Sequence, residues 1–258
     1  MEGLTPIELK EFLEEKFDLY NRESFIQTDP IQIPRAFSRK EDIEIAGFLA
    51  ASIAWGQRPT IIRNGRWLME QMNHQPYQFL MDATEDDLQK FSGFKHRTFN
   101  GEDCVFFLKS LRNIYQNHNG LEGVFLTGLE LGEGMKGALA YFRKIFFEIE
   151  HQQRTTKHVS NVEKKSSAKR LNMFLRWMIR SDQRGVDFGL WKGISPAELY
   201  IPLDVHSGRI ARKLGLLQRK QDDWPAVEEL TQNLRAFDPT DPIKYDYALF
   251  GIGAFEKF

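Results

Sequence analysis

Two stretches of this chain carry residue types that can do covalent chemistry. "SAKRLNMFLRWMIR" starts at Ser167 and puts Lys169 in the opening turn of a helical pattern, and "IPLDVHSGRIARKLGL" starts at Ile201 and puts Asp204 just before another. An amine at a helix start faces the positive end of the backbone dipole. Lys164 and Lys165 add like charge beside it. Both effects disfavour an ammonium and suit a nucleophilic free amine. Asp204 is the reverse case: a carboxylate at an N-cap accepts orphan backbone N–H bonds, and the dipole holds it ionised. A charged carboxylate of this kind can steady a developing cation. The plain alternatives are a solvated lysine in a basic loop and a helix cap of about 1 kcal/mol.

Basic residues gather around both positions. Lys164, Lys165, Lys169, Arg170, Arg176 and Arg180 stand against Glu163, and Arg209, Arg212, Lys213, Arg219 and Lys220 follow Asp204. If the two positions face each other, these residues rim one cleft in the pattern a phosphate backbone requires. Otherwise they are two solvated helix faces. In "AASIAWGQRPT", Gln57 follows a helix break at Gly56, where its amide could meet an extruded base and Trp55 could stack. "FKHRTFN", with His96 and Arg97, reads as a structural anchor, and Trp191 and Lys192 could enter a pocket.

Composition sets the frame for these residues. The 258 residues are 41% apolar with 21 Phe and 5 Trp, enough for one large or two modest helical cores. A net charge of −1 leaves any nucleic-acid case to local charge. The single cysteine, Cys104, rules out a disulfide framework, a Cys-rich zinc site and a protein-held iron–sulfur cluster, and it reads as buried packing. The six histidines show no ligand spacing, so neither a metal nor another cofactor is expected. An acidic amphipathic start unlike a signal peptide, and no apolar run near the ~20 residues of a membrane span, point to a soluble cytoplasmic protein. Oligomeric state is not readable.

The elements that must position these groups read as helices. Period-3.6 patterns cover 6–20, a long apolar helix from Asp42 with a Ser38–Glu41 capping box, and the stretches "TIIRNGRWLMEQM", "EDCVFFLKSLRNIYQNH" and "MKGALAYFRKIFFEIEHQ". "HQQRTTKHVSNVEKKSSAKR" reads as a mobile surface loop. After Asp204 a helix runs to Gly215, and "WPAVEELTQNLRAF" and "PIKYDYALFGIGAF" close the chain. No run suits a sheet, so the class is all-α.

Together these residues resemble the helix-hairpin-helix base-excision DNA glycosylase superfamily. "PLDVHSGRIARKLGL" is similar to the segment that carries its catalytic Asp, with His206, Arg209, Arg212, Leu214 and Gly215 also in step. "SSAKRLNMFL" resembles the segment with its catalytic lysine, "FLAASIAWGQR" the early helix whose Gln probes the lesion, and "KYDYALFGIG" the late helix without its terminal arginine. The 35 positions from Lys169 to Asp204 exceed those of the endonuclease III branch and are nearer the archaeal 8-oxoguanine glycosylase branch. Ser166 and Ala168 stand where the superfamily hairpin has glycines. Over nearly its whole length the chain also resembles an uncharacterised bacterial family, domain of unknown function number 2400.

The resemblance implies two all-α subdomains with a cleft between them: a barrel-like one over 43–182 bearing Lys169, and a second from 1–42 plus 187–258 bearing Asp204. It implies base excision, with Lys169 and Asp204 catalytic and a lyase step through Lys169. Gln57, Trp55 and His206 then contact substrate, and Lys164, Lys165, Arg170, Arg209 and Arg212 contact nucleic acid. The expected partner is duplex DNA with a damaged base, an oxidised purine by the branch likeness, with RNA left open. The competing readings are a non-catalytic nucleic-acid-binding protein of the same fold and a protein-interaction scaffold.

Overall fold

The computed structural model describes residues 4–256. In chain order the helices are α1 (Pro6–Tyr20), α2 (Glu23–Ile26), α3 (Lys40–Ser52), α4 (Arg58–Gln71), α5 (Pro76–Asp82), α6 (Glu85–Gln89), α7 (Gly101–Asn117), α8 (Gly120–Glu130), α9 (Gly134–Phe146), α10 (Lys169–Ile179), α11 (Val205–Lys213), α12 (Trp224–Arg235) and α13 (Tyr245–Phe255). Among the described residues the sheet content is one antiparallel hairpin, β1 (Lys95–His96) with β2 (Phe99–Asn100), so the all-α class holds. No helix among them is long and apolar enough to cross a membrane. The chain divides into two compact units, Met1–Phe25 with Asn161–Phe258, and Ile26–Ser160.

The unit Ile26–Ser160 is organised by α3. Every residue of α3 from Ile43 to Ser52 is buried, including Glu44, which accepts from the Tyr115 hydroxyl at 2.6 Å. Phe48 packs on Phe107, Phe142 and Phe146 with ring centroids 5.4–6.0 Å apart. Such offset and edge-on contacts add to the area these rings bury. The expected Ser38–Glu41 capping box does not form. Arg39 is the N-cap residue, with no side-chain cap bond, and Glu41 pairs with the Arg39 guanidinium instead.

The polar segment after α9 is tethered rather than mobile. Asp103, fully buried in the first turn of α7, accepts from Asn100 N (3.0 Å), Thr155 Oγ1 (2.7 Å) and Arg154 Nη1 (2.8 Å), with His158 Nε2 at 3.0 Å. Burial pushes the Asp103 carboxyl up, but the Asn100 amide, the Thr155 hydroxyl and the charges of His158 and Arg154 outweigh it and hold it below the usual range. A buried carboxylate with this many donors fixes the segment it holds.

The other unit brings the N-terminal helix onto the C-terminal half. Thr5 and Glu8 form a reciprocal capping box, and α1 buries Leu9, Leu13 and Phe17. α1 and α11 both pack on α13. Gly251 and Gly253 permit it: a Cβ at Gly251 would meet the Tyr20 ring at 2.2 Å, and one at Gly253 would meet His206 O at 2.9 Å.

The expectation was a subdomain over 43–182 and a second from 1–42 plus 187–258. The unit boundary falls between Ser160 and Asn161, so Lys169 and Asp204 belong to one unit rather than to two. The reason is the inward face of α10. Arg176 reaches Asp187 (3.3 Å) and Asp246, and Arg180 reaches Asp187 (3.0 Å), Asp241 (2.9 Å) and Asp182 (2.8 Å). Those carboxylates bind α10 to the chain that follows it.

Candidate active site

Two local conformations aim Lys169. Lys165 and Ala168 both lie in the left-handed region, at φ +63° and +50°, so the turn keeps a left-handed backbone with no glycine in it. Ser166 bridges Asp223, and Trp224 N donates to Lys165 O at 2.9 Å, which pins the turn to the start of α12. α10 then begins at Lys169 with Ala168 as its N-cap residue. A left-handed non-glycine residue costs roughly 1–2 kcal/mol. Lys165 is exposed, so Lys165→Gly is expected to stabilise the protein by up to about 1 kcal/mol, a rise in Tm of roughly 2–4 °C. A melting scan that shows no rise, or a fall, contradicts the strain.

Asp204 follows a tight turn in which Leu203 N donates to Ile201 O at 2.8 Å, and that turn is anchored by the Ile201 N–H, which donates to Thr231 Oγ1 at 3.1 Å. It caps α11 with one oxygen only. Asp204 Oδ1 accepts from His206 N (2.9 Å), Ser207 N (3.0 Å) and Ser207 Oγ (3.2 Å), while Ser207 Oγ accepts from Asp204 N at 3.0 Å. Asp204 Oδ2 faces Lys169 Nζ at 3.5 Å. The side chains are 16% and 30% exposed, so both reach solvent. The partner the fold gives the amine is therefore a carboxylate, which the like charge of Lys164 and Lys165 did not foretell.

A third group was missed in the sequence. Asp246, in the first turn of α13, is buried and paired with Arg176. Burial pushes its carboxyl up to about 6, with the charges of Asp204 and Asp187 adding to the rise and those of Arg176 and Lys169 opposing it. It thus lies within electrostatic reach of both Lys169 and Asp204. The available signal was an acid inside the very apolar run "YALFGIGAF" and its flank, where an Asp must be paired to be buried.

The other expected contacts divide. Lys164 and Lys165 are exposed, and so is Arg209, which donates to Gly253 O at 3.1 Å. Arg170 is half-buried, and burial pushes its guanidinium down to about 10. Arg212 is a clamp, bound to Arg219 O (2.8 Å) and Asp222 (2.6 Å). His206, expected to contact substrate, is exposed, with Nδ1 3.2 Å from Gly253 O and its ring edge-on to Phe250.

Gln57 and Trp55 fall in the unit Ile26–Ser160. Gln57 is exposed at the N-cap of α4 and makes no cap bond. Trp55 is half-buried, edge-on to His96 (4.9 Å) and stacked on His158 (6.1 Å), with its carbonyl 3.0 Å from His96 Nε2. His96 is the buried anchor expected. Trp191 is fully buried against Phe174 rather than entering a pocket, and Cys104 is buried packing.

Set beside known proteins, residues 29–255 match a family described as protein of unknown function (DUF2400). No curated protein and no solved structure matches the chain.

Proposed function

The chain belongs to the DUF2400 family, which brings no chemistry to inherit, and from its own site we propose that it is a DNA-repair glycosylase with an associated lyase step. One observation carries this reading: residues 35 positions apart deliver a lysine amine and an oriented aspartate oxygen to within 3.5 Å of each other at a solvent-reached surface. The resemblance of both flanking segments to the helix-hairpin-helix glycosylases supports it.

In the proposed reaction a damaged base leaves the stack, at a cost of a few kcal/mol. The C1′–N bond breaks with its electron pair going to the base, and Asp204 Oδ2 steadies the positive charge left on the sugar. Lys169 Nζ adds to C1′ and gives up its protons as the C1′–O4′ bond breaks, O4′ taking up one of them, which leaves a Schiff base; loss of a C2′ proton to water then forms the C2′=C3′ bond and expels the 3′ phosphate. In this reading Asp246, which feels the charge of the amine, takes up one of its protons.

Borohydride reduces such an imine to a stable amine, so lesion-bearing duplex DNA is expected to become covalently trapped on the wild type and not on Lys169→Gln. Asp204→Asn separates cap from charge. Asn caps as well as Asp, so stability is expected to stay within about 1 kcal/mol. Base release is expected to fall by roughly 10²–10³, the loss of a transition-state charge partner. Absence of trapping on every one of a panel of oxidised, alkylated and deaminated bases removes the lyase step. DNA binding that survives Lys169→Gln without any base release in the parent favours the non-catalytic nucleic-acid-binding reading.

A further inference from the structure

A groove of about 700 Å³ runs along α4, within the unit Ile26–Ser160. Arg58, Ile62 and Arg66 recur at every fourth residue, and Arg63 and Trp67 form the adjacent ridge. From Arg58 to Arg66 the helix rises about 12 Å, so three guanidiniums are spaced along one wall. Among the described residues that line the groove, Glu70 is the only acid, against Arg58, Arg63 and Arg66. Arg63 and Arg66 are exposed, and Arg66 also donates to the neutral amide of Gln32, which keeps its charge uncompensated by that bond.

Trp67 supplies the other half of the chemistry. One side of its ring is stacked on Phe94, with centroids 5.4 Å apart and planes 23° apart, and Phe91 meets it edge-on at 5.9 Å. The indole is therefore held rigid while it remains half-exposed and lines the groove. A fixed aromatic surface beside spaced guanidiniums pairs a planar apolar partner with repeated anions. Guanidinium forks match phosphate oxygens, and aromatic faces take unpaired bases. A duplex keeps its base faces inside the stack, and an acidic peptide offers no obligatory planar group.

We infer that this groove binds a segment of single-stranded nucleic acid, with phosphates on Arg58, Arg63 and Arg66 and a base against Trp67. It goes beyond the glycosylase reading and needs no chemistry at Lys169. The measurement is fluorescence anisotropy of an end-labelled oligothymidylate across roughly 50–200 mM salt, beside an abasic strand of tetrahydrofuran residues, which no amine can open, and a duplex of equal length. The full-length parent is expected to bind the oligothymidylate at least about tenfold more tightly than the abasic strand, a stacked base being the difference. Arg63→Gln with Arg66→Gln is expected to weaken binding at least about tenfold and to flatten the salt slope by about 1.4, two single-strand phosphates.

Because Trp67 also packs on Phe94, its role is read from the parent's abasic comparison rather than from a variant that could unfold. Borohydride trapping reads Lys169 and the double variant reads this groove, so failure of trapping and failure of this groove are separate results. No binding by the parent, equal binding of the abasic strand, a double variant that loses duplex binding as much as single-strand binding, or an unchanged double variant each overturns the assignment.

Discussion

Arg180→Ala is expected to destabilise the protein by at least about 3–5 kcal/mol, the cost of stripping the partner from buried charge. Arg180 is 1% exposed, and its three guanidinium nitrogens each hold a different carboxylate: Nε holds Asp241, Nη1 Asp187 and Nη2 Asp182. Its plane also lies near Phe17 of α1 and Tyr247 of α13, at 5.3 and 5.6 Å. One side chain thereby ties α10 to the N-terminal helix, the connector after it and the start of α13. Three carboxylates left without it repel one another in a poorly solvated space. Lysine restores charge but not the fork, so Arg180→Lys is expected to recover part of the loss only. Urea unfolding followed by circular dichroism reads both variants. A loss under about 1 kcal/mol for Arg180→Ala means the cluster is wetter than its geometry indicates.

That cluster explains why charge counting in the sequence misleads. Arg176 and Arg180 read as part of a basic rim because their neighbours in sequence are lysines and arginines. Their partners, Asp187, Asp241 and Asp246, lie up to 70 positions away. Arg212 is bound in the same way by Asp222. A run of cations reports a surface only when folding brings no acids to it, and nothing local encodes that.

What was legible followed local rules. α1 announces itself by Thr5, Pro6 and Glu8, α11 by Asp204 before it and Gly215 after it, and α12 by Asp223 and Pro225. Lys169 and Asp204 stood out as a pair because each opens a helix, and the fold does bring them together. The same kind of signal failed at Ser38 and Glu41. A Ser-x-x-Glu pattern offers a capping box, but Arg39 competes for Glu41 at 2.9 Å and takes it. The segment 151–170 looked mobile because the anchor of its residues 154–158, Asp103, is about fifty residues away on another helix. Asp246 escaped notice because a lone acid in an apolar helix shows its use only once Arg176 is beside it.

Asp246 gives the second large effect, and it is one of pH. Its carboxyl rises from an ordinary 3.8 to about 6 on folding, so the folded state binds its proton more tightly than the unfolded state. The stability this contributes is fully present below about pH 4 and is lost as pH rises through about 6. Two units correspond to roughly 3 kcal/mol. Asp103, Asp182 and Asp238 act in the opposite sense, because their carboxyls are held below the usual range and their contribution is lost as pH falls. The parent's own profile therefore mixes both signs, and the informative quantity is the difference between Asp246→Asn and the parent.

Asparagine leaves Arg176 paired with Asp187 but cannot ionise. The variant is expected to gain on the parent by up to about 3 kcal/mol between pH 4 and 7, whatever its absolute stability. If Asp246 also takes the proton from Lys169, the parent's imine-trapping rate carries a limb near pH 6 that Asp246→Asn lacks. A stability difference that stays flat from pH 4 to 7 means the carboxyl titrates in its ordinary range. A stability slope without the kinetic limb keeps Asp246 as a structural partner of Arg176 and removes it from the reaction.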